Sequence, residues 1–305
     1  MKGQRKQVNI VLVALLCLLW PVPVEIRAAE NENGPLPGDS LPVALLSVDK
    51  PVDDPQPMDS GLLRLINPDH LLTPDAHPEK LMNINGYLIR PEARSAFLKM
   101  HENMEADGIN NLRLQSAYRP YPYQRVLFED KVKALCRLGY AEAEARELAA
   151  GAVAVPGASE HQTGLAVDVS VSGELNAAFG DTEAGVWLRN NSGRYGFVVR
   201  YPKDKIEITG IMYEPWHLRY VGVPHGEYMR EHHLCLEEYV SHIKEAEALL
   251  YWVDAGSYYK VRYVAEITGE DVSKEMGSAG FWDISSIGPD VGMGYIVTEI
   301  KRFAR

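Results

Sequence analysis

The sequence predicts an α+β fold in which amphipathic helices and short strands share one chain. Residues 165–171 alternate between apolar side chains and small or acidic ones, as a half-buried strand does. Residues 91–100 begin with Pro91 and carry apolar side chains at helical spacing, which predicts a helix with proline in its first turn. Beyond about residue 246, three more alternating segments between glycine and aspartate turns predict a small β-rich accessory domain at 246–305.

The composition limits the classes of protein to which this chain can belong. Its 305 residues are 46% apolar and 9% aromatic, which is enough to bury the core of one medium domain and an accessory piece. The formal net charge is −11. Because phosphate binding needs a basic surface, this acidity argues against a nucleic-acid partner.

Residues 1–29 are predicted to be a secretory signal peptide. Three basic residues within the first six positions precede an apolar run at 10–20, which is shorter than the roughly 20 residues that span a bilayer. We therefore expect export across the cytoplasmic membrane, with an uncleaved amino-terminal membrane anchor as the alternative. After cleavage Cys136 and Cys235 remain, and both a disulfide and two buried free thiols are open to them.

Residues 30–60 are rich in proline and polar residues and are predicted to be a flexible linker to a central domain at 61–245. The further elements predicted there are a strand at 111–116, helices at 123–138 and 141–150, a strand and turn at 206–213, and a helix at 224–240. His225, His232 and His233 lie in the last helix without an accompanying pattern of carboxylates. We expect these three histidines at the surface.

The strongest functional signal is a set of metal-binding side chains divided between two segments. His161 lies just before the strand at 165–171, and Asp168 points away from the apolar face of that strand. With His217 they form a set of two imidazoles and one carboxylate, which suits Zn²⁺ and leaves a fourth coordination position for water. An open position is typical of a catalytic site. The alternative is that His161 caps a turn and Asp168 is solvated.

Glu214 stands three residues before His217 and supplies an acid–base group. On an ideal strand these two positions face opposite ways, so Pro215 must bend the segment if both are to reach one metal. We expect Glu214 on a loop and His217 in a strand at 216–221. A carboxylate so placed can take a proton from water as it attacks a carbonyl, which predicts metal-assisted hydrolysis. A surface ion pair between the two residues is the alternative.

Together these segments resemble the zinc D-alanyl-D-alanine carboxypeptidases of the vancomycin-resistance type, a family related to lysostaphin-like and hedgehog-like zinc domains. The resemblance spans about residues 61–242 and includes the segments 116–124 and 187–202. It implies an antiparallel sheet that carries the zinc site and is flanked by helices. Pro120 departs from the family, which often has a small polar residue there; we expect this change to be tolerated.

The resemblance also implies a role for each site residue. It makes His161, Asp168 and His217 the zinc ligands and Glu214 the general base that later protonates the leaving amine. It makes Arg119 the cation that stabilises the tetrahedral oxyanion, where a guanidinium lowers the barrier. The candidates for substrate binding, for which simple packing is the alternative, are Ser116, Tyr118, Gln124, Ser159 and Trp216.

The activity implied is removal of the C-terminal D-alanine from peptidoglycan stem peptides, by an exported protein that is periplasmic or extracellular at the cell wall. One alternative is an L,D-carboxypeptidase acting on tetrapeptide stems, because the same metal site serves both stereochemistries in the family. A second is a non-catalytic zinc module that binds wall peptide, against which the presence of Glu214 argues.

Overall fold

The computed structural model describes residues 59–246, 248–254, 257–266, 281–288 and 294–302. The predicted signal peptide and nearly all of the predicted linker lie outside the described residues. In the part of the chain that is described, every helix is too short or too polar to cross a membrane. The predicted division of the chain into domains stays a prediction.

The described helices and strands follow the predicted α+β pattern. The α-helices are α1 (Pro91–Ala106), α2 (Tyr121–Arg137), α3 (Glu142–Ala150), α4 (Glu183–Asn191), α5 (Ile206–Thr209), α6 (Val223–Glu231) and α7 (Leu236–Glu245). The strands are β1 (Met82–Ile84), β2 (Tyr87–Ile89), β3 (Arg113–Ser116), β4 (Ala166–Ser170), β5 (Phe197–Tyr201), β6 (Glu214–Tyr220), β7 (Leu249–Asp254), β8 (Ser257–Val264), β9 (Phe281–Ser286) and β10 (Tyr295–Arg302). Short 3₁₀ helices cover Glu160–Thr163, Ala177–Asp181 and Ser192–Tyr195.

The central sheet is antiparallel and has the strand order β3-β4-β6-β5. Its register sets Asp168 of β4 opposite both Ser116 of β3 and His217 of β6. The helix α1 packs on one face, where its buried Phe97 and Met100 share a core with β4 and β6. The predicted fold class, an antiparallel sheet flanked by helices, is confirmed.

Strand β4 is buried on both faces rather than on one. Val167 and Val169 pack in the core under α1, and Asp168 points to the other face, as its position in the alternation predicts. Only 3% of Asp168 is exposed, however, so the alternative of a solvated carboxylate is wrong. The second face lines a polar site that is covered by other parts of the chain. Polar residues in an alternating pattern therefore do not show whether a strand faces solvent or a buried polar site.

The strand predicted at 206–213 is wrong, because Ile206–Thr209 form one turn of helix instead. Gly210 ends this turn in the left-handed region at φ 71° and donates its N–H to the carbonyl of Ile206. Four alternating residues fit a helical turn as well as a strand, and Ile206 and Ile208 stay 38% and 46% exposed. A strand would have needed a partner edge to cover them.

The helix predicted at 224–240 is two helices, α6 and α7, separated near His233, whose φ is 53°. His232 and His233 are exposed as predicted, but His225 is fully buried and that prediction is wrong. Its Nδ1 lies 2.8 Å from the Tyr239 hydroxyl and its Nε2 lies 3.3 Å from the Thr298 hydroxyl. Burial lowers the pKa of His225 to about 3, so it is a neutral hydrogen-bonding residue of the core.

The described residues from Leu249 to Arg302 contribute a second antiparallel sheet in the order β7-β8-β10-β9. Three of its strands were predicted, and β9 was missed. The sheet packs on α6 and α7 through a shared apolar cluster that includes Leu236, Val240, Val261 and Ile296. Leu65 also donates its backbone N–H to a carbonyl beside β9, at 2.7 Å.

Both cysteines of the described chain are free thiols, so the disulfide left open by the sequence does not join them. Cys136 is exposed and Cys235 is buried. Cys235 instead caps the amino terminus of α7, where its backbone N–H donates to the carboxylate of Glu238 at 2.9 Å.

Candidate active site

The fold brings His161, Asp168 and His217 together into one buried cluster. One ligand atom from each lies within 4.8 Å of the others. Nε2 of His161 and Nδ1 of His217 each lie 3.1 Å from a different oxygen of Asp168. Among the described residues, the buried Nε2 of His161 has no hydrogen-bond partner despite the nearby oxygen. Two imidazole nitrogens and a carboxylate oxygen converging in this way fit a divalent metal ion such as zinc.

A tight turn positions His161 at the start of β4. The residue lies in the 3₁₀ helix Glu160–Thr163, and Gly164 ends that turn at φ 69°, a conformation that glycine adopts without strain. Nδ1 of His161 lies 2.6 Å from the carbonyl oxygen of Ala117 and donates to it in the neutral tautomer. That hydrogen bond leaves the lone pair on Nε2, which faces Asp168.

A β-bulge turns Glu214 and His217 toward the same point. Val199 of β5 pairs with Leu218, but Tyr201 pairs with Glu214, so β6 contains two more residues than β5 over this stretch. Oε2 of Glu214 consequently lies 3.9 Å from Nδ1 of His217. This irregularity lies in the stretch that contains Pro215, where the sequence led us to expect a bend. Glu214 belongs to the strand, so the prediction of a loop there is wrong.

Glu214 is a carboxyl group whose environment favours the protonated form. Its side chain is 15% exposed. Burial raises the pKa of Glu214 to about 7, and the charge of Asp168 adds to this, although His217 and Arg119 act in the opposite direction. A carboxyl group that titrates near neutral pH can both accept and donate a proton there.

Arg119 supplies a cation at the edge of the cluster. Its backbone N–H donates to the carbonyl of His161 at 3.1 Å, and its guanidinium Nη2 lies 3.6 Å from Oδ2 of Asp168. Its Nε atom is buried and unpaired within the described part of the chain. The side chain is 13% exposed and lines the same cleft as the cluster.

The cleft has an empty volume of about 680 Å³, and three of the five predicted substrate-binding residues line it. They are Gln124, Ser159 and Trp216. Nε2 of Gln124 donates to a backbone carbonyl at 2.7 Å, and its buried Oε1 is unpaired among the residues described. This oxygen is an acceptor available to a ligand.

Ser116 and Tyr118 are absent from the described residues that line the cleft. Ser116 lies across from Asp168 in the sheet, and the backbone N–H of Tyr118 donates to Leu88 at 2.8 Å. The structure therefore does not bring these two candidates to the cleft, and both positions hold the Arg119 loop against its neighbours. Substrate-binding roles for the five candidates stay predictions.

Sequence reasoning missed Glu160, which lies directly beside the cluster. Its side chain is fully buried, and Oε1 accepts hydrogen bonds from Arg200 and Arg219, each at 2.8 Å. Burial alone would raise the pKa of Glu160, but the two guanidinium groups hold it well below its usual range. The signal available in the sequence was an arginine within each of two mostly apolar or aromatic strand segments, 197–201 and 216–221.

Tyr201 was also missed, and it forms part of the wall of the cleft. Its ring centroid lies 5.0 Å from that of His217. Burial raises the pKa of the Tyr201 hydroxyl well above its ordinary value, and the nearby Glu160 carboxylate adds to this, so the residue is a neutral phenol.

The two histidines of the cluster differ in their electrostatic setting. Burial lowers the pKa of His161 to about 4, and the charge of Arg119 adds to the effect. Burial also acts to lower the pKa of His217, but its hydrogen bonds to Asp168 and Glu160 raise it to about 9. The two pKa values differ in direction because only His217, of the two rings, has a carboxylate beside each of its nitrogens.

Comparison with known protein families points to one family. A family model described as VanY, D-alanyl-D-alanine carboxypeptidase, matches residues 86–223. The chain is 35% identical over 193 residues to the bifunctional D-Ala-D-Ala dipeptidase and carboxypeptidase VanXYC of Enterococcus gallinarum, covering 60% of this chain and 95% of that protein. It is 32% identical over 217 residues to a D-alanyl-D-alanine carboxypeptidase of Enterococcus faecium, covering 67% of this chain. The chain spans 65% of the length of that relative.

Two solved structures resemble more than half of this chain. One is a mutant of the vancomycin-resistance D,D-pentapeptidase VanY from a VanB-type cassette in complex with Zn(II), with 37% identity, a TM-score of 0.53 and coverage of 58% of this chain and 98% of that one. The other is VanYB in complex with D-alanine-D-alanine, with 37% identity, a TM-score of 0.53 and coverage of 59% and 97%.

Proposed function

The chain belongs to the VanY family of D-alanyl-D-alanine carboxypeptidases, and from that membership we propose that it is a zinc enzyme that removes the C-terminal D-alanine from peptidoglycan stem peptides. The observation that carries the proposal is the convergence of His161, Asp168 and His217 beside Glu214 in one cleft. The relatives solved with Zn(II) and with D-alanine-D-alanine support the metal and the substrate class.

The proposed zinc ligands are Nε2 of His161, an oxygen of Asp168 and Nδ1 of His217. This donor set is the kind found in catalytic zinc sites, where three protein ligands leave a position open. A metal would also give the unpaired Nε2 of His161 the partner that a buried nitrogen requires. The chemistry supplied by zinc at this position is Lewis acidity, which acidifies an attacking water and polarises the scissile carbonyl.

Glu214 is proposed as the general base and then the general acid. It takes a proton from the water molecule as the oxygen attacks the last peptide carbonyl. It then gives that proton to the nitrogen of the departing D-alanine as the C–N bond breaks, and so returns to its starting state. Acid–base catalysis is most efficient with a pKa near the working pH, and burial raises the pKa of the Glu214 carboxyl in that direction.

Arg119 and Gln124 are proposed to act on the substrate from the wall of the cleft. The guanidinium of Arg119 is placed to stabilise the negative charge that develops on the carbonyl oxygen during attack. The unpaired Oε1 of Gln124 accepts an N–H of the substrate backbone. Trp216 gives the cleft an apolar surface for the alanine side chains.

Mass spectrometry of defined stem peptides tests the proposal. Zinc-loaded protein is incubated with a pentapeptide stem ending in D-Ala-D-Ala and, separately, with the tetrapeptide stem. We expect loss of one alanine from the pentapeptide and an intact tetrapeptide. Cleavage of the tetrapeptide alone would assign an L,D-carboxypeptidase instead, and cleavage of neither by zinc-loaded protein would assign a binding module.

We further propose that the enzyme works outside the cytoplasmic membrane, in the periplasm or at the cell wall. The basic start and apolar run within residues 1–29 support this placement. Fractionation of cells expressing the full chain tests it: the mature protein should leave the cytoplasm, and a shortened amino terminus found by mass spectrometry separates cleavage from anchoring.

A further inference from the structure

The two histidines of the metal cluster have their outer ring nitrogens held by different kinds of acceptor. Nδ1 of His161 faces an uncharged backbone carbonyl, that of Ala117, at 2.6 Å. Nε2 of His217 faces a carboxylate oxygen, Oε2 of Glu160, at 3.4 Å. In metal sites the outer N–H of a histidine ligand usually donates to such a carbonyl or carboxylate, which fixes the tautomer and the orientation of the ring.

Glu160 is held in one orientation by two arginines. Nε of Arg200 and Nη1 of Arg219 both donate to Oε1 of Glu160 at 2.8 Å, which leaves Oε2 directed at His217. The guanidinium of Arg219 is fixed in turn by the backbone carbonyls of Leu62, at 3.0 Å, and Tyr220, at 3.1 Å. Glu160 therefore has little freedom to turn away from the imidazole.

A fourth charged residue balances this buried group. Arg200 donates to both carboxylate oxygens of Glu237 on α7, at 2.9 and 2.6 Å. The two arginines and two glutamates together carry no net charge, and both arginine side chains are at most 1% exposed. Glu237 thus belongs to the same ionic network as Glu160 and contacts Arg200 rather than His217.

Folding stability by itself does not account for this network. Removing four charged groups from water is expensive, and a buried ion pair is often no more stabilising than apolar side chains of similar volume. What apolar side chains cannot supply is an anionic acceptor at the outer nitrogen of a metal ligand. The place where the network ends, 3.4 Å from His217, is where such an acceptor is needed.

We propose that Glu160 is a positioning residue for the metal ligand His217. By accepting the Nε2–H it keeps the neutral tautomer that presents Nδ1 to the metal, and its negative charge makes the imidazole a stronger donor. The inference rests on the proposed function because it requires a metal between His161, Asp168 and His217. It adds a residue that acts on the metal through His217 rather than as a ligand.

Metal affinity tests this role without relying on hydrolysis. Zinc is titrated into the metal-free full chain against a chromophoric chelator, for wild type and for Glu160→Gln, which keeps the side-chain size and removes the charge. We expect the variant to bind zinc about 10- to 100-fold more weakly. The visible absorption of the cobalt-substituted variant should also differ from that of wild type, because the donor strength and orientation of His217 change.

Glu237→Gln is the matched control, since it removes a carboxylate from the same network without touching His217. It should lower thermal stability and leave zinc affinity within about twofold of wild type, far below the change expected from a partner of a ligand. If Glu160→Gln fails to fold, Glu160→Asp serves instead. Its shorter side chain keeps the charge but withdraws the oxygen from His217, so weaker zinc binding and an altered cobalt spectrum are again expected.

Two results would overturn the proposal. The first is zinc affinity and a cobalt spectrum in the folded Glu160 variant that match wild type. The second is an equal loss of zinc affinity in Glu237→Gln, which would make the effect one of general stability. A wild-type protein that binds no zinc would instead contradict the proposed function itself, and this inference with it.

Discussion

The two faces of the central sheet are both buried, but one is lined by apolar side chains and the other by charged and polar ones. On the face toward α1, Leu218 and Val167 are completely buried in an apolar cluster. On the other face, their neighbours His217 and Asp168 are almost equally buried among charged groups. Alternation along β4 and β6 separates these two sets, because successive residues of a strand point to opposite faces.

This difference shows that burial by itself does not identify a hydrophobic core. The apolar face gains free energy from each side chain separately, in proportion to the area removed from water. The polar face depends on pairing, since a buried charge that loses its partner is costly. Substitutions on the first face should therefore change stability, and substitutions on the second should change metal binding and catalysis.

The largest effect is expected from removing a proposed metal ligand on the polar face. His217→Ala should reduce zinc affinity by more than the roughly 100-fold that the loss of a ligand's partner can cost, and should abolish hydrolysis. Elemental analysis of the purified protein measures the zinc content. Near-normal zinc in this variant would show that His217 is not a ligand.

Glu214→Ala separates catalysis from metal binding on the same face. The variant should keep its zinc and its fold and lose at least about a hundredfold in turnover of the pentapeptide stem, the lower end for acid–base catalysis. The measurement is kcat together with zinc content in one preparation. Unchanged turnover would falsify the assignment of Glu214 as the general base.

Leu218→Ala is the counterpart of His217→Ala, one residue along the strand on the apolar face. Leu218 is fully buried, so truncation should lower the free energy of unfolding by about 2–5 kcal/mol. Zinc content of the folded protein should stay at the wild-type level. Urea unfolding measures the free energy of unfolding, and elemental analysis measures the zinc content. A large loss of zinc without a loss of stability would contradict the division of roles between the two faces.

The smallest effect is a pH dependence of the metal-free protein. Burial raises the pKa of Glu214 from 4.5 to about 7, so between these values the folded protein keeps a proton that the unfolded chain has lost. This contribution to stability is fully present below pH 4.5, decreases as the pH rises toward 7, and is lost above that pH.

Comparison of metal-free wild type with Glu214→Gln isolates that contribution. The variant should gain up to about 3 kcal/mol of unfolding free energy relative to wild type between pH 4.5 and pH 8. Denaturant unfolding at the two pH values measures the gain. A difference that stays constant with pH would contradict the raised pKa of Glu214.

Elements with a long or regular pattern of apolar residues were predictable from the sequence. Helix α1 was indicated by apolar residues at helical spacing after Pro91, and it is confirmed as Pro91–Ala106. The turn at 206–209 was not predictable, because four residues of alternation satisfy a strand and a helical turn equally. The burial of His225 also lay beyond the sequence, since its hydrogen-bond partner Thr298 comes from a strand far along the chain.

The sequence by itself determined which side chains form the metal cluster. His161, Asp168 and His217 stand in two short segments whose residue types already define a donor set, and Glu214 accompanies the second of them. Ligand chemistry is local to a residue, so it can be deduced before the fold is known. The fold then brings the two segments together, because β4 pairs with β6 and the bulge in β6 directs Glu214 and His217 to one side.

The tertiary structure alone decided the place of Glu160. The arginines that hold it lie 40 and 59 residues further along the chain, on neighbouring strands. A buried carboxylate is stable only beside countercharges, and the pairing of β5 with β6 is what brings two of them to the same oxygen. The sequence contained the charges, but their distances depended on the packing.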